Sequence, residues 1–352
     1  MTLTRTLVRA AAALTATGLV ATGAVAQSAS IVKKPVPGAD GLAVSADGSK
    51  VWVIGANEGT VFRFKSGQAF GTPFATRTGE ANFIDAWATP SGGRAYVLDE
   101  DDQALHVIRW GSKGTFTTLK TGVNPTALVG GTARGQQVLY ILNVGTTRQS
   151  VTVINRSTNT VSKTWNLPKS AGGDAQSMAL APDGQTLYVG SLSGQGTAAW
   201  GLSTKTGKVV QNIKTTYPGD PNSVLEVDSL AVDSSNKFLY LGAGAESSPK
   251  AGTYKVAIST GKIAAKRMVN QNFMQALAVA GNSRVVAMSG NSITAAPGTL
   301  QVLKRKNLKP SQDKVILPVA PSALGVSESA SGALRAHVTS TDDSAYWSIP
   351  IK

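Results

Sequence analysis

The sequence contains no cysteine and only two histidines, His106 and His337, among 352 residues. No disulfide framework can staple the fold and no thiol nucleophile or cysteine-ligated metal is available, so stability has to come from packing. Two histidines in separate regions exclude a histidine-rich zinc or copper centre, and both fall in strand-like patterns that read as structural. Acidic residues are also scarce, 20 against 34 Lys and Arg, for a formal charge of +14. Such a balance attracts anionic polymers over long range, or simply keeps surface lysines solvated. The densest basic cluster, Lys304-Arg305-Lys306 with Lys309 and Lys314, reads as an outer-strand and turn feature rather than a pocket. No glycine loop opens a helix to cradle phosphate, and no cofactor motif occurs.

Long apolar runs are missing beyond the first residues. Arg5 and Arg9 precede a small, apolar stretch over 10–20, and Ala24-Val25-Ala26 has the small-x-small pattern of a signal-peptidase site. The stretch is too short for the roughly 20 apolar residues of a membrane span and is interrupted by Thr15, Thr17 and Gly18. Residues 1–26 are therefore expected to be a cleaved signal peptide. Residues 27–352 are expected to form one soluble, monomeric domain in the periplasm, the cell envelope or the medium, with no lipoprotein anchor because no cysteine follows the cut.

What is abundant is Gly, Ser, Thr and Val in a repeating order. A short apolar strand, a tight turn and a second strand with a central aromatic recur in 42–53 (LAVSADGSKVWV), 86–97 (AWATPSGGRAYV) and 178–189 (MALAPDGQTLYV). Weaker copies begin at Leu128, Leu230, Leu277 and Leu324. Seven copies at intervals of roughly 40 to 50 residues match four-stranded propeller blades and are too widely spaced for leucine-rich or ankyrin repeats. Glycines at the 47–48, 92–93 and 183–184 turns supply the positive φ that tight hairpins need. The fold class is thus all-β, a seven-bladed β-propeller of four-stranded antiparallel blades. The last blade has only three strands before Lys352, and residues 30–36 are expected to supply the fourth and close the ring.

Residues 150–161 (SVTVINRSTNTV), with 181–189 (APDGQTLYV), resemble the YVTN-type propeller repeat of exported bacterial and archaeal proteins. The resemblance implies the propeller fold over nearly the whole mature chain. It leaves function open among surface-layer proteins, binding proteins and lactonase-like enzymes.

Strand alternation puts the second-to-third and blade-to-blade links on one face. These hold the extended segments 168–176, 190–197, 215–227, 242–252 and 290–298, which makes that face the expected binding surface. Counting two residues before each innermost strand gives a channel-mouth ring of Asp40, Ile84, Thr126, Gln176, Asp228, Gln275 and Ser322, with Asp85 adjacent. Trp87 lies on an innermost strand within reach of the channel. Asp40, Asp85, Trp87, Gln176, Asp228 and Gln275 are the candidate ligand-binding residues. No catalytic residue, metal ligand or cofactor is assigned. The run Asp99-Glu100-Asp101-Asp102 lacks the alternating carboxylates and central glycine of a calcium loop and reads as a solvated turn. Three functions fit: a binding or envelope-associated scaffold with an unknown ligand, a lactonase-like hydrolase with a divalent metal at the channel mouth, and a binder of anionic polymers.

Overall fold

The structure, a computed structural model, describes residues 31–45, 47–55, 60–65, 74–75, 81–89, 92–109, 116–145, 148–168, 175–191, 197–218, 220–245, 248–269, 273–291, 296–319, 321–340 and 342–351. The expected signal peptide lies outside them.

Seven four-stranded antiparallel sheets follow one another along the chain. Each runs in simple up-and-down order, as in blade three: Pro125–Ala133, Gln136–Val144, Gln149–Asn155 and Thr160–Asn166. The first strands of successive blades touch one another, and that of blade seven, Pro321–Glu328, touches that of blade one, Ala39–Val44. The chain is a seven-bladed β-propeller with the first strand of each blade innermost.

Closure occurs as the sequence implies. Val32–Pro35 pairs antiparallel with the third strand of blade seven, Ala345–Ile351, with Val32 opposite Ser348 and Pro35 opposite Ala345. The Val36 amide donates to the Ser344 carbonyl at 2.7 Å, and Val36 itself is fully buried. Outside the ladder, Lys33 pairs with Asp343 at 2.7 Å and lies 4.7 Å above the Trp347 ring. Thr339 adds a tie at the inner edge, its hydroxyl donating to the Asp40 carbonyl at 2.6 Å.

The core lies between blades. One cluster joins Tyr140, Leu142 and Trp165 of blade three to Met178, Leu187, Val189 and Trp200 of blade four. The repeated second-strand position is occupied by Trp52, Tyr96, Tyr140, Tyr188 and Tyr240, all buried, then by Val286 and His337. Blades stack because these rings fill the gap to a neighbour.

Turn chemistry explains the tight spacing. Gly184 has φ of +67°, and a Cβ there would fall 2.3 Å from the Thr132 carbonyl of the preceding blade. Gly48, at φ +69°, approaches Ser327 of blade seven in the same way. The expected Gly92-Gly93 turn is different, since Thr89 pairs with Gly92 and both glycines open the second strand.

Two expected loops are largely strand. Phe238–Ala245 and Ser248–Ala257 stay paired out to Ala245 opposite Ser248, and Arg284–Asn291 and Ala296–Lys304 out to Asn291 opposite Ala296. Their small and glycine-rich sequences read as loop, but backbone pairing continues through bulges. The 215–227 link folds into a hairpin of Thr216–Tyr217 and Asp220–Val224. Of 168–176 and 190–197, residues 169–174 and 192–196 lie outside the described set.

Candidate functional site

Every innermost strand breaks its ladder once, near its start. The register shifts fall at Asp40–Gly41 in blade one, Asn82 in blade two, Thr126 in blade three, Gln176 in blade four, Asp228 in blade five, Gln275 in blade six and Ser322–Ala323 in blade seven. A bulge leaves an extra residue outside the pairing and turns the strand, a device concentrated at barrel rims and beside binding sites. The seven bulges occupy equivalent places, three residues before the partner of the repeated second-strand position. They therefore form one ring at the channel mouth.

The ring expected from sequence is thus a ring of bulges, with one correction. In blade two the extra residue is Asn82, whereas Ile84 and Asp85 sit in regular pairing opposite Val97 and Tyr96. The count from sequence starts at Ala86, two residues beyond the position the ladder makes equivalent. The ladder aligns Ile84 with Leu42, Leu128 and Met178. Asp85 and Trp87 lie further along the strand, with Trp87 opposite Arg94. The side chains of Asp85, Trp87 and Gln275 lie outside the described set. Asp40, Gln176, Asp228 and Ser322 are half-buried, and Thr126 is buried.

Both histidines are held inside blades. His337 takes the aromatic position of blade seven, with Nε2 2.8 Å from the Ser327 hydroxyl and Nδ1 2.6 Å from the Tyr346 hydroxyl. Although serine and histidine are adjacent, Ser327 is only 5% exposed and the third partner is a phenol. With Ser327 on the first strand of blade seven, His337 on the second and Tyr346 on the third, the arrangement ties three neighbouring strands together. Burial, reinforced by the nearby Arg335 charge, holds the imidazole pKa down at about 3.

That shift carries a sign. The unfolded chain protonates this group near pH 6.5 while the native ring resists it, so the unfolded state binds more protons between those values. Stability should be full above about pH 6.5 and should decline as pH falls toward about 3. His106 shifts in the same direction, so a difference measurement is needed. Urea midpoints of wild type and His337→Gln, compared from neutral to mildly acid pH, should show a steeper decline for wild type. Parallel curves would contradict the assignment.

His106 contacts Thr118 Oγ1 through Nδ1 at 3.1 Å, with Nε2 3.5 Å from Asp99 Oδ2. Burial lowers its pKa against the opposing pull of Asp99 and Asp102. Asp99 is fully buried and its other oxygen accepts the Asp102 amide at 2.9 Å, so the acidic run is a turn capped from within. Asp101 and Asp102 are exposed, as expected of a solvated turn. Among the described residues, no group of three or more His, Asp or Glu side chains is placed to hold a metal.

Sequence reasoning missed one feature, on the opposite face. The Lys304-Arg305-Lys306 cluster lines a cleft of about 420 Å³ between blades five and six, together with Lys255 and Arg284. From sequence the cluster reads as an outer-strand and turn feature rather than a pocket. Only the stacking of blade six on blade five brings Lys255 and the Asp233–Phe238 turn against it.

No family model matches the sequence, and a search of curated proteins returns no match. Among solved structures, the chain is similar to Kuenenia stuttgartiensis hydrazine synthase, with a TM-score of 0.67 over 93% of this chain and 99% of that one. At 14% identity the likeness concerns the propeller fold alone. No helix among the described residues is long and apolar enough to cross a membrane.

Proposed function

We propose that this chain is an exported propeller of the YVTN-repeat type that acts as a binding or envelope-associated scaffold protein, engaging its ligand at the bulged rim of the channel. The observation that carries the reading is the ring of seven bulges. Each innermost strand has a bulge there, and pairing leaves the residue type open because the extra residue makes no ladder pairing. All seven positions nevertheless include a polar residue able to donate or accept hydrogen bonds: Asp40, Asn82, Thr126, Gln176, Asp228, Gln275 and Ser322. Rigid strands carrying polar groups around a concave mouth favour recognition of a polar ligand at low ordering cost.

Immobilised cell-envelope polysaccharide is the first probe to test. Wild type should be retained, and the rim variant Gln176→Ala with Asp228→Asn should be released several-fold more readily while keeping its melting temperature. Retention of both proteins to the same extent would remove the rim from the reading.

A further inference from the structure

Among the described residues, the cleft between blades five and six gathers more positive than negative side chains. Its walls are turns from two blades on the face opposite the rim: Asp233–Phe238 of blade five, and 281–284 and 304–308 of blade six. Five cations, Lys255, Arg284, Lys304, Arg305 and Lys306, face one carboxylate, Asp233.

That carboxylate is spent on its own turn. Asp233 is 2% exposed and accepts the Ser235 hydroxyl at 2.5 Å and the Lys237 and Phe238 amides at 2.8 and 2.9 Å. Lys255 is the unusual member, because the residue is only 9% exposed. Its ammonium donates to the Lys306 carbonyl at 3.3 Å and lies 4.0 Å from the Phe238 ring centroid. Among the described residues no carboxylate is within salt-bridge distance of it. Asp233 acts on this ammonium only from beyond salt-bridge distance, Arg305 opposes it, and an anion in the cleft would add a close counter-charge. Consistently, burial pulls the Lys255 pKa below the usual lysine value.

The walls are also fixed in place. The Tyr240 hydroxyl donates to the Arg305 carbonyl at 3.2 Å, the Arg305 amide to the Ser283 carbonyl at 2.8 Å, and the Arg305 guanidinium to the Ser234 hydroxyl at 2.7 Å. Tyr96 and Arg94 reach the Arg156 carbonyl of blade three in the same way, at 3.4 and 2.6 Å. The tie therefore belongs to blade stacking, whereas Lys304 and Lys306 stand where the turn of blade three has Asn155 and Ser157. Blade two has Val107 where blade five has Lys255.

We propose that this cleft is an oxyanion site for phosphate groups, with Lys255 as the buried anchor and Lys304 and Lys306 as the exposed arms. Lysine ammoniums supply point charges and several donors each, which suits phosphoryl oxygens. The site is independent of the rim and stands or falls without it.

The test is calorimetric titration of the full mature protein with inorganic phosphate, pyrophosphate and short-chain polyphosphate. Wild type should bind pyrophosphate with an affinity that falls as salt rises. Lys255→Gln, and separately Lys304→Gln with Lys306→Gln, should each weaken it by about tenfold to a hundredfold, the amount one charge-assisted hydrogen bond carries. Lys205→Gln with Lys208→Gln, an exposed pair on the matching turn of blade four, should leave affinity unchanged. Polyphosphate binding more tightly than pyrophosphate, with the same ranking of variants, would identify a polymer as the source of the phosphate, and equal affinity a small phosphate compound. No binding by wild type would overturn the proposal, as would wild-type affinity in Lys255→Gln or equal losses in the blade-four control. If Lys255→Gln does not fold, the exposed Lys304 and Lys306 pair against the control decides.

Discussion

Removal of the N-terminal residues through Val36 should destabilise the whole ring, by on the order of 5 kcal/mol. The Val32–Pro35 ladder contributes backbone hydrogen bonds worth about 1 kcal/mol each, and burial of Val36 adds roughly 1.5–3 kcal/mol. The loss also uncovers Ala345–Ile351, leaving a long unpaired edge that invites association between molecules. Against a total stability of about 5–15 kcal/mol, a change of this size shifts a urea midpoint far down or prevents soluble expression. The denaturation curve of the truncated protein measures it. An unchanged midpoint would mean that the strand is ornamental.

The second large effect is expected at Tyr240. Its ring is fully buried against Leu277, Val285, Leu303 and Leu308 of blade six, and its hydroxyl ties the two blades through the Arg305 carbonyl. Tyr240→Ala should cost about 3–5 kcal/mol, as other buried aromatic truncations do. Tyr240→Phe keeps the packing and should lose only about 1 kcal/mol for the hydrogen bond. Tyr188, 3% exposed and bonded to Gln211 at 2.7 Å, should behave similarly on truncation. Chemical denaturation of the Ala and Phe variants separates the two contributions. Equal losses would place the stabilisation in the hydroxyl instead of the ring.

The fold was readable because its causes are local and repeated. An apolar strand, a glycine turn and an aromatic two strands deep recur wherever a blade must stack, so Trp52, Tyr96, Tyr140, Tyr188 and Tyr240 mark their blades directly. Blade seven shows the limit, since His337 fills the same position through polar contacts to Ser327 and Tyr346 that hydrophobic patterning does not register. The bulge positions are reached by counting back from the strands, and the count falls two residues late in blade two, where it starts from Ala86 instead of Ile84. The basic cleft was not readable. Lys255 and Lys304–Lys306 are some fifty residues apart, and one of the cations is buried by a neighbouring blade rather than by its own sequence context.

The rim is complete only if the chain's two ends meet, and the absence of native cysteine allows that meeting to be measured without background. Val32 and Ser348 are directly paired, and opposed strand residues have Cα atoms about 4.5–5.5 Å apart, inside the range a disulfide spans. Val32→Cys with Ser348→Cys should oxidise to an intramolecular bond in the monomer, seen as a faster-migrating band and as a raised melting temperature. Free thiols in the folded monomer, or a bond formed only between molecules, would contradict a ring closed by its N-terminal strand.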